Sequence, residues 1–153
     1  MAKSNYAVQL AKFAQKAADI TDRVVRGVVM EIGTRIVDRS PVGDGTLWKS
    51  PPPKGYIGGR FRANWQYGNY SGAGIPMADL PNIDKSGAAS IARIAAGLPQ
   101  KAAGMKHVLI NNLPYAQALE DGHSTQAPSG MVGLVALEFP QIVRDVVASE
   151  KGA

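Results

Sequence analysis

Apolar side chains recur along residues 5–38 at Tyr6, Leu10, Phe13, Ala17, Ile20, Val24, Val28, Ile32 and Ile36. The steps alternate between three and four, the period of a helix with one apolar face. Ser4 is placed to cap its start. Pro41 forbids its continuation and pushes Ser40 out of the helical region. A helix of about 34 residues measures about 50 Å, whereas a compact domain of this size has a radius of gyration of ~15 Å. The helix must bend, at Gly27 or Gly33, or project and pack on another chain. Val25 and Val29 widen the stripe in the second half, which marks that half as the one facing the core.

Beyond this helix the pattern breaks. Residues 40–60, SPVGDGTLWKSPPPKGYIGGR, are rich in proline and glycine, and Pro51, Pro52 and Pro53 favour an extended polyproline path. They predict an extended loop or arm in which Trp48 and Tyr56 are anchors, docking on the parent domain or on a neighbour. Phe61, Ala63, Trp65 and Tyr67 then alternate with Arg62, Asn64 and Gln66, the period of a strand with one buried face and Arg62 and Asn64 towards solvent. Residues 68–82 return to loop composition. Ile91, Ile94, Ala95 and Leu98 space as a short helix from about Ser86, stopped by Gly97 and Pro99. MKHVLIN, residues 105–111, reads as a second strand, and Pro114 to Glu120 as a helix of under two turns closed by Gly122. From an N-cap at Ser129, Met131, Leu134, Val135, Phe139, Ile142, Val143, Val146 and Val147 trace a final helix, kinked where Pro140 removes a hydrogen bond.

These elements predict an α+β fold: a long N-terminal helix and a kinked C-terminal helix on a small, mainly antiparallel sheet, with a Pro/Gly-rich loop over 40–60. Phe61, Trp65, Ile110, Val28 and Val135 are the expected core. The 153 residues make most simply one domain, 1–153, and 45% hydrophobic content supports its interior.

Composition narrows the chemistry. With no cysteine, the chain cannot form disulfides, thiolate zinc sites or a cysteine nucleophile, which fits folding in a reducing cytoplasm. The N-terminus lacks an uninterrupted apolar region of signal-peptide type, and no stretch approaches the ~20 apolar residues that span a bilayer. A soluble protein with no membrane partner is expected. Net charge is +5, and Lys49, Lys54, Arg60 and Arg62 fall in one stretch without an acid. That stretch reads as a solvated loop, or as a surface with weak, salt-sensitive attraction to phosphates and no sequence recognition.

One short string, LEDGHS, concentrates Glu120, Asp121, His123 and Ser124. A metal site there needs more ligands, and the other histidine, His107, lies on the second strand with no HExxH-like spacing. Ser124 and His123 are adjacent, so on an extended backbone they point to opposite sides and cannot act as nucleophile and base. The string reads instead as a corner. Gly122 caps the short helix, Asp121 and Ser124 hydrogen-bond the turn, and Gln126-Ala127-Pro128 leads to the next helix. GYIGGR is neither a dinucleotide nor a Walker loop, so no cofactor is implied.

The order of landmarks carries a resemblance. Ser40-Pro41-Val42 ends the first helix, and Arg62-Ala63-Asn64-Trp65 opens the sheet. Asn111-Asn112, Pro114-Tyr115-Ala116 and Leu119-Glu120 precede Gly122-His123-Ser124, Gln126-Ala127-Pro128 and Gly130-Met131-Val132. From about residue 5 to 148 the chain resembles the neck or tail-completion proteins of tailed bacteriophages, also described as head–tail joining or minor tail proteins. It departs from them between Pro41 and Arg60, where its loop is longer. The resemblance implies a structural virion protein at the neck, assembled in the host cytoplasm, and no enzyme or catalytic residue. The implied partners are copies of itself in a ring, portal or connector (head-completion) proteins, tail terminator or tail-tube proteins, and double-stranded DNA passing non-specifically through the channel. Tyr6, Leu10, Phe13, Trp48 and Tyr56 are the expected subunit contacts. Three alternatives remain at this stage: another ring of the same junction, a basic DNA-binding module, and a small hydrolase or metal enzyme using His123.

Overall fold

Helix α1 runs unbroken from Ala2 to Arg39 in the computed structural model, which describes residues 2–71 and 74–152 and side chains from Asn5 onward. Ser4 therefore lies inside the first turn rather than ahead of it. Thirty-eight residues extend about 57 Å, and the chain resolves that excess length by projection: residues 5–18 are all exposed. Gly27 and Gly33 lie within continuous helix and admit close neighbours. A Cβ on Gly27 would stand 2.7 Å from Val146 of the last helix.

The second half of α1 supplies Val28, Val29, Ile36 and Val37 to the core. Against it runs α5, Val132–Lys151, with Pro140 inside it. Arg23 meets Glu150 at 2.9 Å, while Arg35 and Arg39 both meet Glu138 at 2.6 Å, a pattern that makes the two helices antiparallel. Ion pairs this exposed add little stability. Burial does more: fully buried Ile142 of α5 and Ile94 of the central short helix are each worth about 1.5–3 kcal/mol.

The remaining elements fill one side of this pair. They are a helical turn α2, Arg60–Ala63; strand β1, Trp65–Asn69; α3, Ala88–Gly97; strand β2, His107–Asn111; and α4, Ala116–Glu120. β1 and β2 form a two-stranded antiparallel sheet with Trp65 opposite Asn111 and Tyr67 opposite Leu109. The fold is α+β, as the residue pattern predicts. Among the described residues no helix is long and apolar enough to cross a membrane.

Several details differ from the pattern. The alternation beginning at Phe61 belongs to a strand only from Trp65. Phe61 and Ala63 sit on α2, where they are still buried. Nor do Arg62 and Asn64 face solvent along a strand edge. Asn64 is fully buried, its amide donating to Arg60 O and Leu80 O and accepting from Leu80 N, so it ties the turn to the following loop. Ile110 pairs with Gln66, which places it on the sheet face away from Trp65 and Tyr67, and it is only half-buried. Helix α3 starts at Ala88, two residues after Ser86, and is capped by Asp84, whose carboxylate accepts from Gly87 N and Ser90 N. Strand β2 starts at His107 rather than residue 105. Of the 68–82 loop, residues 72 and 73 lie outside the described residues.

Candidate functional site

Two surfaces stand out once the core is built: a corner with an apolar cleft at the C-terminal end of α1, and the projecting ridge at its N-terminal end. The corner starts where α1 stops. Ser40 is buried; its hydroxyl donates to Ile36 O at 2.8 Å and accepts from Trp65 Nε1 at 2.7 Å. The Arg62 guanidinium covers the open carbonyls of the helix end, donating to Asp38 O, Ser40 O and, beyond the helix, Lys85 O. A cation at a helix C-terminus also meets the negative end of the helix dipole. The motifs SPV and RANW are thus one helix stop.

The LEDGHS segment is the other half of the corner. α4 ends in two C-terminal bonds, Gly122 N to Leu119 O and His123 N to Ala118 O, with Gly122 at φ +85°. That is a Schellman stop, which favours glycine. Glu120 does not bond locally. Its carboxylate accepts from Met131 N (3.0 Å), Val132 N (3.0 Å) and Gly133 N (2.9 Å), the free donors at the start of α5. Burial pushes this carboxyl up, but the three N–H groups outweigh it and hold it below the usual carboxylate range. Gly130 is glycine because its φ is +75° and a Cβ would meet Glu120 O at 2.4 Å. Capping at Ser129 does not occur, since α5 begins at Val132 and Glu120 has taken its donors. Asp121 likewise accepts from the Gln117 side chain rather than bracing the turn, whereas Ser124 does brace it, accepting from Gln126 N.

Gln126 joins the two halves. Its side-chain amide donates to Val42 O at 2.8 Å and accepts from Val42 N at 3.0 Å, a paired bond of the kind strands make. Asn112 reaches the neighbouring loop through Pro76 O and Ala78 O. Met131 is buried, and Pro128 O lies against Gly122. Of the predicted landmark residues, Ser40, Pro41, Val42, Arg62, Trp65 and Gln126 therefore share one cluster. Glu120, Gly122, Pro128, Gly130 and Met131 make the adjoining one. Pro114 and Tyr115 lead into α4, and Tyr115 sets its ring 6.1 Å from Phe61.

Between the corner and the 40–60 loop lies a cleft of about 800 Å³, walled by Leu47, Trp48, Tyr56, Ile57, Tyr115 and Leu119. The loop is not an extended arm. Gly58 backs onto the Gly43 carbonyl, with no room for a side chain on Gly58, and the Tyr56 hydroxyl fills the space beside Gly43, so the loop closes on itself at its neck. Trp48 and Tyr56 pack against each other with their rings tilted by 52° and ring centroids 4.7 Å apart, and both stay partly exposed. Burial pushes the Tyr115 phenol up, which keeps it neutral. Within the basic stretch, Arg60 pairs with Asp79 at 2.6 Å and Arg62 is spent on the helix stop, leaving Lys49 and Lys54 exposed.

His123 and Ser124 line the cleft rim and are not set against each other by any hydrogen bond the structure records. His107 sits in β2 between Tyr67 Oη (2.8 Å) and Ala102 O (2.9 Å), a half-buried strand residue. Among the described residues no group of three or more His, Asp or Glu is arranged to hold a metal ion.

The second surface is the free half of α1. Tyr6, Leu10 and Phe13 recur along one helix face and are 69%, 55% and 70% exposed, while Val8 is exposed on the opposite side of the helix. The expected interface residues thus form two separate groups, Tyr6, Leu10 and Phe13 at one end of α1 and Trp48 and Tyr56 at the other. The chain matches no protein-family model, no curated protein and no solved structure.

Proposed function

We propose that this chain is a structural subunit of the tailed-phage neck, forming a ring that joins the portal or connector to the tail around the DNA channel. The observation that carries the reading is the free half of α1. Residues 5–18 put Tyr6, Leu10 and Phe13 into solvent, a cost to solubility that a monomer gains nothing by bearing. The order of the Ser40-Pro41-Val42, Arg62–Trp65 and Glu120–Met131 landmarks supports the placement at the head–tail junction through the resemblance alone; within the fold these residues build the hydrogen-bonded corner. A net charge of +5 suits non-specific proximity to DNA. The protein's work on this reading is binding and assembly. The test is a phage with the gene deleted. Filled heads and finished tails should accumulate unjoined, and added purified protein should join them. Tails of uncontrolled length would instead mark a tail terminator, and infectious particles without the protein would end the proposal.

A further inference from the structure

We infer that the α1 ridge of one copy seats in the cleft of the next, a head-to-tail contact between copies of this chain; the inference rests on the ring reading above. Both surfaces are apolar, both are open, and their shapes are opposite: Tyr6, Leu10 and Phe13 form a convex helix face, while Leu47, Trp48, Ile57, Tyr115 and Leu119 wall a concavity. They cannot meet within one chain. Pro41 lines the cleft two residues past the helix end at Arg39, and Leu10 lies twenty-nine residues back from Arg39 along unbroken helix, about 44 Å away. A second copy therefore supplies the ridge. Two different patches at opposite ends of one subunit make a heterologous contact, and such contacts form rings when the rotation closes. Pairing ridge with ridge would leave the cleft, with Ile57 53% exposed and Leu47 64% exposed, uncovered.

The area sets how this contact behaves. Large aromatics bury roughly 150–250 Å² each, so the ridge offers on the order of 400 Å². One contact then removes on the order of 800 Å² over both partners, short of the roughly 1,000 Å² a specific stable pair needs. A single contact is weak. Closing the ring gives each copy two contacts, so assembly is cooperative and an isolated dimer is scarce.

The absence of cysteine makes the pairing directly testable. Phe13→Cys and Ile57→Cys fall at exposed positions, and circular dichroism verifies that each variant folds. Mixed at high concentration and oxidised, the two should give a disulfide-linked pair at least tenfold in excess of either variant alone. The double variant should give a ladder of covalent oligomers. A Phe13→Cys product linked only to itself would mean symmetric ridge pairing and overturn the inference. So would a mixed yield no higher than that of Lys101→Cys with Ile57→Cys. Closed oligomers without the ridge–cleft disulfide overturn this pairing and leave the ring reading intact. Monomers without it, together with joined particles from the gene deletion, overturn both.

Discussion

Replacing Glu120 with glutamine tests the central feature of the corner with a change of a single atom. The carboxylate now accepts three backbone N–H bonds from Met131, Val132 and Gly133 at the start of α5. Glutamine retains one acceptor oxygen, turns its NH₂ towards a backbone donor, and removes the negative charge from a helix N-terminus. Charge-assisted hydrogen bonds are worth about 1.5–3 kcal/mol, and losing a helix N-cap costs about 0.5–2 kcal/mol. Because the side chain is only part-buried and both figures describe the same bonds, the lower end applies, and Glu120→Gln should cost about 1.5 kcal/mol at neutral pH. With a urea dependence of about 2 kcal/mol per molar, the midpoint should fall by about 0.8 M. The pH dependence gives a second check. The folded carboxyl lies below its ordinary value, so its contribution is complete above the unfolded pKa and vanishes as pH falls through the folded one. The gap between wild type and variant should therefore narrow once the pH drops below about 4.3. A gap under about 0.5 kcal/mol at neutral pH, or one that stays constant through acid, would refute the capping role.

Two further substitutions address the helix stop and the loop. Ser40→Ala leaves the buried Trp65 indole N–H without its acceptor and should cost about 1–3 kcal/mol. In a Trp65→Phe background the same change should cost much less, and equal costs in the two backgrounds would show that the bond does not couple them. Gly58→Ala puts a methyl 2.0 Å from the Gly43 carbonyl oxygen, a backbone atom that cannot swing aside, so the loop neck must open. Limited proteolysis should then cut within 44–57 several-fold faster than in wild type, and an unchanged rate would show the neck is not closed by that contact.

The long periodic helices were legible because their apolar stripes repeat over many turns and only one face satisfies them. Strand facing was less so. Phe61, Ala63 and Trp65 alternate in a way that a strand satisfies, yet a single helical turn also buries Phe61 and Ala63, and the choice is made by Asn64 bonding to Leu80, sixteen residues away. Ile110 is apolar enough for the core, but which face it takes depends on its pairing with Gln66, a register set outside its own segment. The corner shows both sides. Gly122 as a helix stop follows from local turn chemistry. Glu120 as the cap of a helix that begins twelve positions later does not, and its one sequence signal is Gly130, needed to let the chain pass close to it. Asp22 is similar: a buried carboxylate on α1, accepting from Ala102 N and Ala103 N, that looks from sequence like one more helix-surface charge. Asp84 carries a local signal that the reading from Ser86 passes over: an aspartate with Ser86 and Gly87 just ahead of an apolar helix is an N-terminal capping pattern.

A reconstruction of the neck of intact particles tests the whole account most directly. It should show a closed ring between portal and tail into which this α+β fold docks, with each α1 crossing to the neighbouring subunit. A neck fully accounted for by other chains, with this one absent, would contradict it.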